Sequence, residues 1–405
     1  MSESVSELQS RVCGAVEAAF ESLQIPFLER LVNQPSYTDS REDVEAAASL
    51  IDDLAGEIGL QRSLFPDPDG NYTDHRIFRT PALQAPESAL ALVGHCDTVY
   101  PRHMEFLGFR RDESGHAFGP GVLDMKSGLT VILFALRALK ESAPEIWKIA
   151  KLRFLLNTEE EVGSPSSCHL FEAIAPVTSC ALVFEGGRDE DRIVTARKGT
   201  GGFTVKVKGQ SAHAGNDHAA GVNAIHALAY LIPPIESLTN YDAGTTVNVG
   251  VVQGGTAKNT IPDAVECLID VRVTSLDEMQ KVQIALEKIA RWDFVNVEQV
   301  PAKIRTAKIE LEGGISRPPM TATDSSEQLR NRYEAFAAQV GLGIGAAPVQ
   351  GGGSDANNFA ALGVPTIDGL GPYGKFMHNP KEWCCLESLR KRTAALACFL
   401  AHEQF

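Results

Sequence analysis

A chain of 405 residues with 44% hydrophobic and 22% charged residues has an ordinary globular composition and is long enough for two domains. The net charge of -15 argues against a nucleic-acid partner, because phosphate binding needs clustered Lys and Arg. No apolar run approaches the roughly 18 residues of a membrane helix. Residues 1–10 are polar and resemble neither a signal nor a transit peptide, and the eight cysteines lack a CxxC pair. These features predict a cytoplasmic protein with reduced thiols.

Residues 1–197 alternate between helical and strand patterns, which is typical of an α/β sheet covered by helices. Amphipathic helices are predicted at 5–34 and 40–58, the second with Asp39 or Ser40 as its N-cap. Strands are predicted at 89–95, 151–157 and 179–185, and further helices at 125–141 and 165–174.

The pattern changes between residues 198 and 317, where the elements follow the order β-α-β-β-α-β of the split ferredoxin-like plan. The predicted strands are 203–208, 245–252, 264–273 and 307–312, and the predicted helices are 219–232 and 275–291. After residue 318 the α/β pattern resumes, with helices near 324–340 and 386–402. The sequence therefore predicts a large α/β domain, 1–197 with 318–405, into which a small domain of 198–317 is inserted.

Five clusters of acidic residues and histidines are spread along the chain, and most follow a predicted strand. They are Gly-His-Cys-Asp-Thr-Val at 94–99, Gly-Pro-Gly-Val-Leu-Asp-Met-Lys at 119–126, Asn-Thr-Glu-Glu-Glu-Val-Gly at 157–163, Phe-Glu-Gly-Gly at 184–187 and Met-His-Asn-Pro at 377–380. Side chains at strand ends can converge on one crevice. Two histidines and three carboxylates suit two borderline ions such as zinc, which leaves one carboxylate as a base. The clusters predict a two-metal hydrolase.

Each cluster taken alone also has an ordinary structural explanation. His95 alone reads as a satisfied strand-end histidine, Asp124 as a helix N-cap, and the glutamates at 159–161 as a solvated turn. In the functional interpretation, Asp97 lies on the same strand face as His95 and orients its ring, while Asp124 is shared by two metals. His378 lies in a Gly- and Pro-containing loop, where structural reasons for a histidine are few. The five clusters taken together, rather than any one of them, predict the metal site.

In this order the motifs resemble the co-catalytic zinc peptidase family of acetylornithine deacetylase, succinyl-diaminopimelate desuccinylase, aminoacylase and folate-cleaving glutamate carboxypeptidase, and the last branch is the most similar. The resemblance runs from about residue 90 to about residue 390 and includes Gly-Gly-Gly-Ser-Asp-Ala at 351–356. One departure is Glu159, where the family usually has Asp. The resemblance implies a zinc-peptidase α/β sandwich with an inserted ferredoxin-like lid and dimerisation domain. It also implies a homodimer and two divalent ions, zinc first, with manganese or cobalt as substitutes.

The resemblance also implies roles for the clustered residues. Five of them would be metal ligands, with Asp124 shared: His95, Asp124 and Glu185 for one ion, and Asp124, Glu161 and His378 for the other. Glu160 would accept the proton of a metal-activated water and pass it to the leaving amine, while Asp97 orients His95. The bond between Asp124 and Met125 would be cis.

The remaining implied functional residues lie mostly in the inserted domain. His213, in Gly-Gln-Ser-Ala-His-Ala-Gly at 209–215, resembles a lid histidine that donates to the developing oxyanion, commonly from the partner subunit. Five residues would bind the substrate and its carboxylate: Asn259, Arg272, Arg317, Gly353 and Ser354. Ordinary roles as a loop amide and a strand arginine stay open for Asn259 and Arg272. The other histidines match nothing and are predicted to be surface or core residues: His75, His103, His116, His169, His218, His226 and His402.

The implied reaction is hydrolysis of an amide bond in a small, carboxylate-bearing substrate. Cleavage would release the C-terminal residue of a peptide or of a glutamate conjugate, or it would hydrolyse an N-acyl amino acid. An aminohydrolase or deaminase acting on a non-peptide C–N bond would share every catalytic residue, so this alternative stays open. The intact ligand set and Glu160 disfavour a non-catalytic binding protein. The expected partners are a small molecule or short peptide and a second copy of the chain, with neither nucleic acid nor membrane.

Overall fold

The computed structural model describes residues 5–104, 108–294 and 296–403; residues 1–4 and 404–405, at the ends of the predicted large domain, lie outside this description. The chain divides into two units. The larger unit consists of Met1–Ala196, Ala322–Gln350 and Ser354–Phe405, and the smaller of Arg197–Thr321 and Gly351–Gly353. Among the described helices, none combines the length and the hydrophobicity that a bilayer crossing requires.

The first part of the larger unit alternates helices and strands, as predicted. Its helices are α1 (Val5–Ala19), α2 (Ile25–Asn33), α3 (Arg41–Ile58), α4 (Ser127–Ser142), α5 (Pro144–Trp147) and α6 (Ser167–Ile174). Its strands are β1 (Gln61–Phe65), β2 (His75–Arg79), β3 (Ala89–His95), β4 (Arg110–Arg111), β5 (His116–Phe118), β6 (Leu152–Asn157) and β7 (Thr178–Val183). A π-helical turn, Phe20–Gln24, lies within the helix predicted at 5–34. Ser40 occupies the N-cap position of α3, although its side chain makes no capping hydrogen bond.

The smaller unit has the predicted β-α-β-β-α-β order in its long elements. Its strands are β8 (Gly199–Lys208), β9 (Ala212–His213), β10 (Thr246–Gly254), β11 (Thr260–Ile261), β12 (Ala264–Val273) and β13 (Lys308–Arg317), and its helices are α7 (Ala224–Glu236) and α8 (Leu276–Ala290). The predicted start of α7 at residue 219 is wrong. The helix begins at Ala224, because the Asn223 side chain accepts the His226 N–H at 2.9 Å and caps the first turn.

The chain then returns to the larger unit. The elements of this last part are α9 (Asp324–Gln339), α10 (Asp355–Ala361), β14 (Thr366–Ile367), β15 (Gly374–Lys375), β16 (Trp383–Cys385) and α11 (Leu386–His402). The predicted helices near 324–340 and 386–402 are confirmed as α9 and α11. The short helix α10 was not predicted.

Two sheets position the motif-bearing segments of the larger unit. In the described residues, the main sheet has the strand order β1-β2-β6-β3-β7-β14, and β6, β3, β7 and β14 run parallel. The segments after β3, β6 and β7 meet at one edge, because parallel strands end at the same side. A smaller sheet of order β15-β16-β5-β4 brings the segment after β5 close to the loop between β15 and β16.

The core of the larger unit explains why its strands read as continuous apolar runs. Every residue of β3 and of β6 is buried, which is typical of parallel strands covered on both faces. Helices α1, α4 and α11 pack on one another, and α4 also lies against β3. The tail of β3 is therefore held rigidly where it reaches His95.

The smaller unit has a core of its own. Its four-stranded antiparallel sheet has the order β10-β12-β8-β13, and α7 and α8 cover one face. Alternate residues of β8 and β12 point into this core, among them Val205 and Val271, where they meet Leu228 and Leu286 of the helices. The opposite face of this sheet is polar and more exposed.

Candidate metal centre

His95, the last residue of β3, presents one ring nitrogen to Asp97 and the other to a cluster of acids. Its Nδ1 lies 3.0 Å from the Asp97 carbonyl oxygen and 3.2 Å from Asp97 Oδ1. Its Nε2 is buried without a hydrogen-bond partner among the described residues. Because Nδ1 faces acceptors, a neutral ring keeps its lone pair on Nε2, the atom that a metal ion needs.

Asp124 lies between β5 and α4, in a stretch of non-helical backbone with φ -119° and ψ 93°. Its bond to Met125 is cis, as predicted. Asp124 Oδ1 lies 3.4 Å from His95 Nε2, and Oδ2 lies 3.2 Å from His378 Nε2. Each oxygen therefore faces a different histidine, which is the arrangement of a carboxylate shared by two ions.

The glutamates complete both sides of this arrangement. Glu160 and Glu161 begin the one-turn helix Glu160–Val162 after β6, and Glu185 follows β7. Glu161 Oε2 lies 3.0 Å from His378 Nε2, while Glu185 Oε1 lies 3.8 Å from His95 Nε2. Glu160 is buried, and one oxygen of it lies within 4.8 Å of ligand atoms of His95 and Glu185.

The spacing of these atoms fits divalent ions. Two ligand atoms bonded to a tetrahedral zinc at about 2.0 Å lie about 3.3 Å apart. The four His–carboxylate distances in the cluster range from 3.0 to 3.8 Å. Glu161 Oε1, like His95 Nε2, is buried without a hydrogen-bond partner in the described part of the chain. Ligand atoms of His95, Asp124 and Glu161 lie within 4.8 Å of one another, and the half-exposed His378 lies beside Glu161.

The electrostatics of the cluster reflect crowded, poorly solvated carboxylates. Burial and the nearby Asp124 carboxylate raise the pKa of Glu161 to about 8 and hold the pKa of Glu185 well above its usual range. Hydrogen bonds to Asp124 and Glu161 raise the pKa of His378 to about 11. Like charges that are taken out of water disfavour ionisation, and a bound cation offsets that cost. The donor set therefore suits one or more divalent ions.

Asp97 holds the glutamate turn as well as the histidine. Its Oδ1 accepts the Glu160 N–H and its Oδ2 accepts the Glu161 N–H, both at 3.1 Å. The Thr38 hydroxyl donates to Oδ2 at 2.8 Å. One buried residue, Asp97, thus contacts both the His95 ring and the turn that begins at Glu160.

Two further buried acids that the sequence did not single out contact the same segments. Asp355, the first residue of α10, accepts from Asn157 Nδ2 at 2.8 Å and from the Ser164 hydroxyl at 2.6 Å, so it ties together both ends of the glutamate-bearing turn. Glu382 accepts the backbone N–H groups of Leu123 and Asp124 at 2.7 and 3.0 Å. In the sequence, Asp355 is marked by the Gly-Gly-Gly-Ser-Asp-Ala motif, and Glu382 is marked by its position four residues after His378.

The structure brings His213 and Asn259 together within the smaller unit. Strand β9 pairs with β11, and the Ala214 N–H donates to the Asn259 carbonyl at 3.0 Å. Both side chains are exposed. His213 Nδ1 accepts the N–H groups of Gly215 and Asn216 at 3.1 and 3.0 Å. A nitrogen that accepts cannot carry the proton of a neutral ring, so the proton lies on Nε2.

Arg272 and Arg317 form a second group, because both lie opposite Thr200 in the sheet of the smaller unit. Gly353 is adjacent, since a Cβ on this glycine would lie 2.9 Å from Arg317 Cδ. Asp270 pairs with Arg272 through two hydrogen bonds of 2.9 Å. The guanidinium of Arg272 is therefore engaged within its own strand.

Ser354 has contacts of a different kind. Its hydroxyl accepts the Ala356 N–H at 3.2 Å as the N-cap of α10 and donates to Asp368 Oδ2 at 2.7 Å. The residue is buried. These contacts make Ser354 part of the framework that orients Asp355.

His75, predicted to be a surface or core histidine, is a core residue behind the glutamate turn. Its Nε2 lies 2.9 Å from the Ser166 hydroxyl and its Nδ1 lies 3.1 Å from the Thr158 hydroxyl. Burial lowers the pKa of His75 to about 4, although the Asp97 carboxylate partly opposes this shift. The ring is therefore neutral at physiological pH.

A two-domain α/β fold with this donor set defines a metal-dependent hydrolase, and sequence comparison agrees. Residues 91–402 match the family profile of peptidase family M20/M25/M40. The chain therefore belongs to this family of metallopeptidases, and its fold is the α/β catalytic sandwich with an inserted ferredoxin-like domain.

Relatives and solved structures cover most of the chain. Carboxypeptidase G2 from Pseudomonas sp. (strain RS-16) is 26% identical over 370 residues, which are 91% of this chain and 86% of the relative. Acetylornithine deacetylase from Salmonella paratyphi B is 30% identical over 61% of this chain and 67% of the relative. A Bacillus cereus aminopeptidase shares the fold with a TM-score of 0.76 and 22% identity, over 93% of this chain and 97% of the other. A dinuclear metal-binding peptidase of the M20 family from Bacillus subtilis shares the fold with a TM-score of 0.68 and 17% identity. The match covers 95% of this chain and 98% of the other.

Neutral His75 should make the stability of the chain depend on pH. The pKa of His75 is about 4 in the folded chain against an ordinary value of 6.5, so between these values the unfolded chain binds more protons. Lowering the pH through this window should reduce the free energy of unfolding by up to about 1.4 kcal/mol per pH unit. The slope should be flatter in His75→Gln, which keeps a neutral polar side chain. Denaturant titrations at pH 6.5, 5.5 and 4.5 measure it, with the exposed His226→Gln as control. Equal slopes for the parent and His75→Gln would contradict the assignment.

Proposed function

We propose that this chain is a two-metal hydrolase that cleaves an amide bond of a small, carboxylate-bearing substrate. The substrate is a peptide or glutamate conjugate that loses its C-terminal residue, or an N-acyl amino acid. The observation that carries this proposal is Asp124, whose two oxygens face two histidines on opposite sides. The similarity to carboxypeptidase G2 supports the first substrate class, and the similarity to acetylornithine deacetylase supports the second.

Two divalent ions complete the proposed centre, with zinc as the first choice and manganese or cobalt as substitutes. One ion takes His95, Asp124 and Glu185, and the other takes Asp124, Glu161 and His378. When bound, such ions polarise a carbonyl group and make water acidic enough to ionise near neutral pH. Imidazole and carboxylate ligands favour zinc over calcium or magnesium.

Glu160 is the proposed general base. It accepts a proton from the attacking water and returns it to the leaving amine. Its burial beside His95 and Glu185 supports this role, and Asp97 fixes its backbone. Asp97 also orients the ring of His95.

The larger unit is proposed as the catalytic domain, predicted as 1–197 with 318–405, and the smaller as the lid and dimerisation domain, predicted as 198–317. His213 donates its Nε2–H to the oxyanion that develops on the substrate. The tautomer set by Gly215 and Asn216 supports this assignment, because it leaves the donor on the exposed nitrogen. Strand β10 is an edge strand with exposed Val251 and Val252, which suits contact with a second copy.

The residues proposed to bind the substrate are Asn259, Arg272, Arg317, Gly353 and Ser354, and the arginines are proposed to pair with its carboxylate. Arginine suits this role because its planar fork pairs both carboxylate oxygens. A panel of N-acyl amino acids, folate-like glutamate conjugates, dipeptides and aromatic amines tests the substrate class with the zinc-loaded protein. Turnover of the first three classes supports the proposal. Turnover of uncharged aromatic amines alone would instead establish an aminohydrolase.

Loss of a histidine ligand should lower the metal content. Metal analysis of the purified chain should find up to two ions, and chelation should abolish turnover. His95→Ala and His378→Ala should each lose metal and activity, whereas His226→Ala, on the exposed face of α7, serves as the control. Full metal content and rate in both ligand variants would refute the proposed centre.

Loss of the base should affect the rate without affecting the metal. Glu160→Gln should lower kcat by roughly 10² or more, the usual scale for lost general acid–base catalysis. Its metal content should be retained, while Glu161→Gln should lose metal. If Glu160→Gln loses metal and Glu161→Gln retains it, the two roles are reversed.

Donation of His213 across a dimer can be tested by complementation. His213→Ala and Glu160→Gln should each be nearly inactive, because one lacks the oxyanion donor and the other lacks the base. After subunit exchange, a mixed dimer would contain one site with both groups intact and should recover activity. Absence of recovery after exchange, proven with differently tagged subunits, would mean that His213 acts within its own chain.

A further inference from the structure

We infer that Glu382 is a positioning residue of the metal centre. Its buried carboxylate holds the backbone that presents Asp124 and joins this backbone to two other ligand-bearing segments. The inference rests on the proposed function, because it concerns the ion-binding role of Asp124.

The first carboxylate oxygen of Glu382 acts on the backbone around Asp124. Glu382 Oε1 accepts the Leu123 N–H at 2.7 Å and the Asp124 N–H at 3.0 Å. The Asp124 backbone is non-helical, and Gly121 before it adopts φ 70°. A helix therefore does not fix the direction in which Asp124 points. The acceptor supplied by Glu382 takes over this task.

The second oxygen connects this turn to the segment that follows His95. The Tyr100 hydroxyl donates to Glu382 Oε2 at 2.5 Å and also lies 3.1 Å from the carbonyl oxygen of Asn379, the residue after His378. The Glu382 N–H donates to the same carbonyl at 2.9 Å. One side chain thus connects the segments that carry His95, Asp124 and His378.

A purely structural role explains these contacts less well. Glu382 is fully buried, and burial of a carboxylate is costly unless donors surround it. An apolar residue of similar volume often serves the stability of a fold equally well or better. A side chain with an acceptor oxygen is needed at this place if that oxygen controls the geometry of a ligand, because metal ligands must be held within about 0.5 Å.

Three substitutions of Glu382 test the length, the charge and the volume of its side chain separately. E382Q keeps an amide oxygen that can accept both N–H groups but removes the charge. E382D keeps the charge but is one methylene shorter, so it cannot reach both groups. E382M keeps the volume without an acceptor. Y100F removes the hydroxyl contacts with the second oxygen and with the Asn379 carbonyl oxygen, and it leaves the contacts of the first oxygen in place.

The experiment measures zinc affinity by competition with a chromophoric chelator and thermal unfolding of the metal-free chain. E382D and E382M should lower the affinity for at least one zinc ion by about 10- to 100-fold, the usual effect of losing a residue that orients a ligand. E382Q should retain most of the affinity, and Y100F should have a smaller effect than E382M. If E382M does not fold, the comparison of E382D with E382Q decides the question.

Two results would contradict the inference. If folded E382D and E382M bind zinc as tightly as the parent chain, Glu382 has no positioning role. If E382Q is as defective as E382D, an uncharged acceptor at the right distance is not sufficient to hold the Asp124 backbone, and the inference fails. Asp124→Asn distinguishes failure of the inference from failure of the proposed function. Unchanged zinc binding in Asp124→Asn would overturn the proposed centre itself, whereas loss in Asp124→Asn without loss in E382D would overturn only the role of Glu382.

Discussion

Crowding of carboxylates at the end of a buried parallel sheet is the constraint on which the larger unit depends. Asp124, Glu161 and Glu185 converge with Glu160 where little water reaches them. Burial first, and then repulsion from the Asp124 carboxylate, raise the pKa values of Glu161 and Glu185. Repulsion between these carboxylates lowers the stability of the fold, whereas bound divalent ions would offset the repulsion. The surrounding structure has to hold these groups together before an ion arrives.

Three buried acids outside the proposed ligand set contact the segments that carry these groups. Asp97 accepts the N–H groups of Glu160 and Glu161, Asp355 joins the two ends of the same turn, and Glu382 holds the backbone at Asp124. Buried loops must satisfy their backbone N–H groups, and here carboxylates supply the acceptors that a helix or sheet would otherwise provide. The ligand loops are therefore both irregular and fixed. The design of the centre extends well beyond its ligands.

The sequence predicted the strands β3, β6 and β7 and the residues at their ends, because continuous apolar runs and the acids that follow them are local signals. It also predicted the β-α-β-β-α-β order of the smaller unit. It missed Glu382, although this residue lies four positions after His378, because its partners are two backbone N–H groups and the distant Tyr100 hydroxyl, and such contacts give no periodic pattern. The pairing of β9 with β11, which brings the segments of His213 and Asn259 together, was missed for a related reason. It depends on strands of two residues, which are too short to show any periodicity.

The same distinction between local and distant partners bears on substrate recognition. Asp270 and Arg272 are two residues apart on β12, so they share one face of the sheet and pair directly. Their side chains are 50% and 34% exposed, and exposed ion pairs contribute only about 0–1 kcal/mol. If Arg272 binds the substrate carboxylate as proposed, this carboxylate has to replace Asp270, and the exposure of the ion pair keeps the cost of that exchange small. Arg317 is buried on β13, which pairs with the other side of β8, so the two arginines lie opposite the same Thr200 but on strands that are not neighbours. Of the two arginines proposed to bind the substrate carboxylate, Arg272 is therefore the one whose partner can be exchanged at the surface.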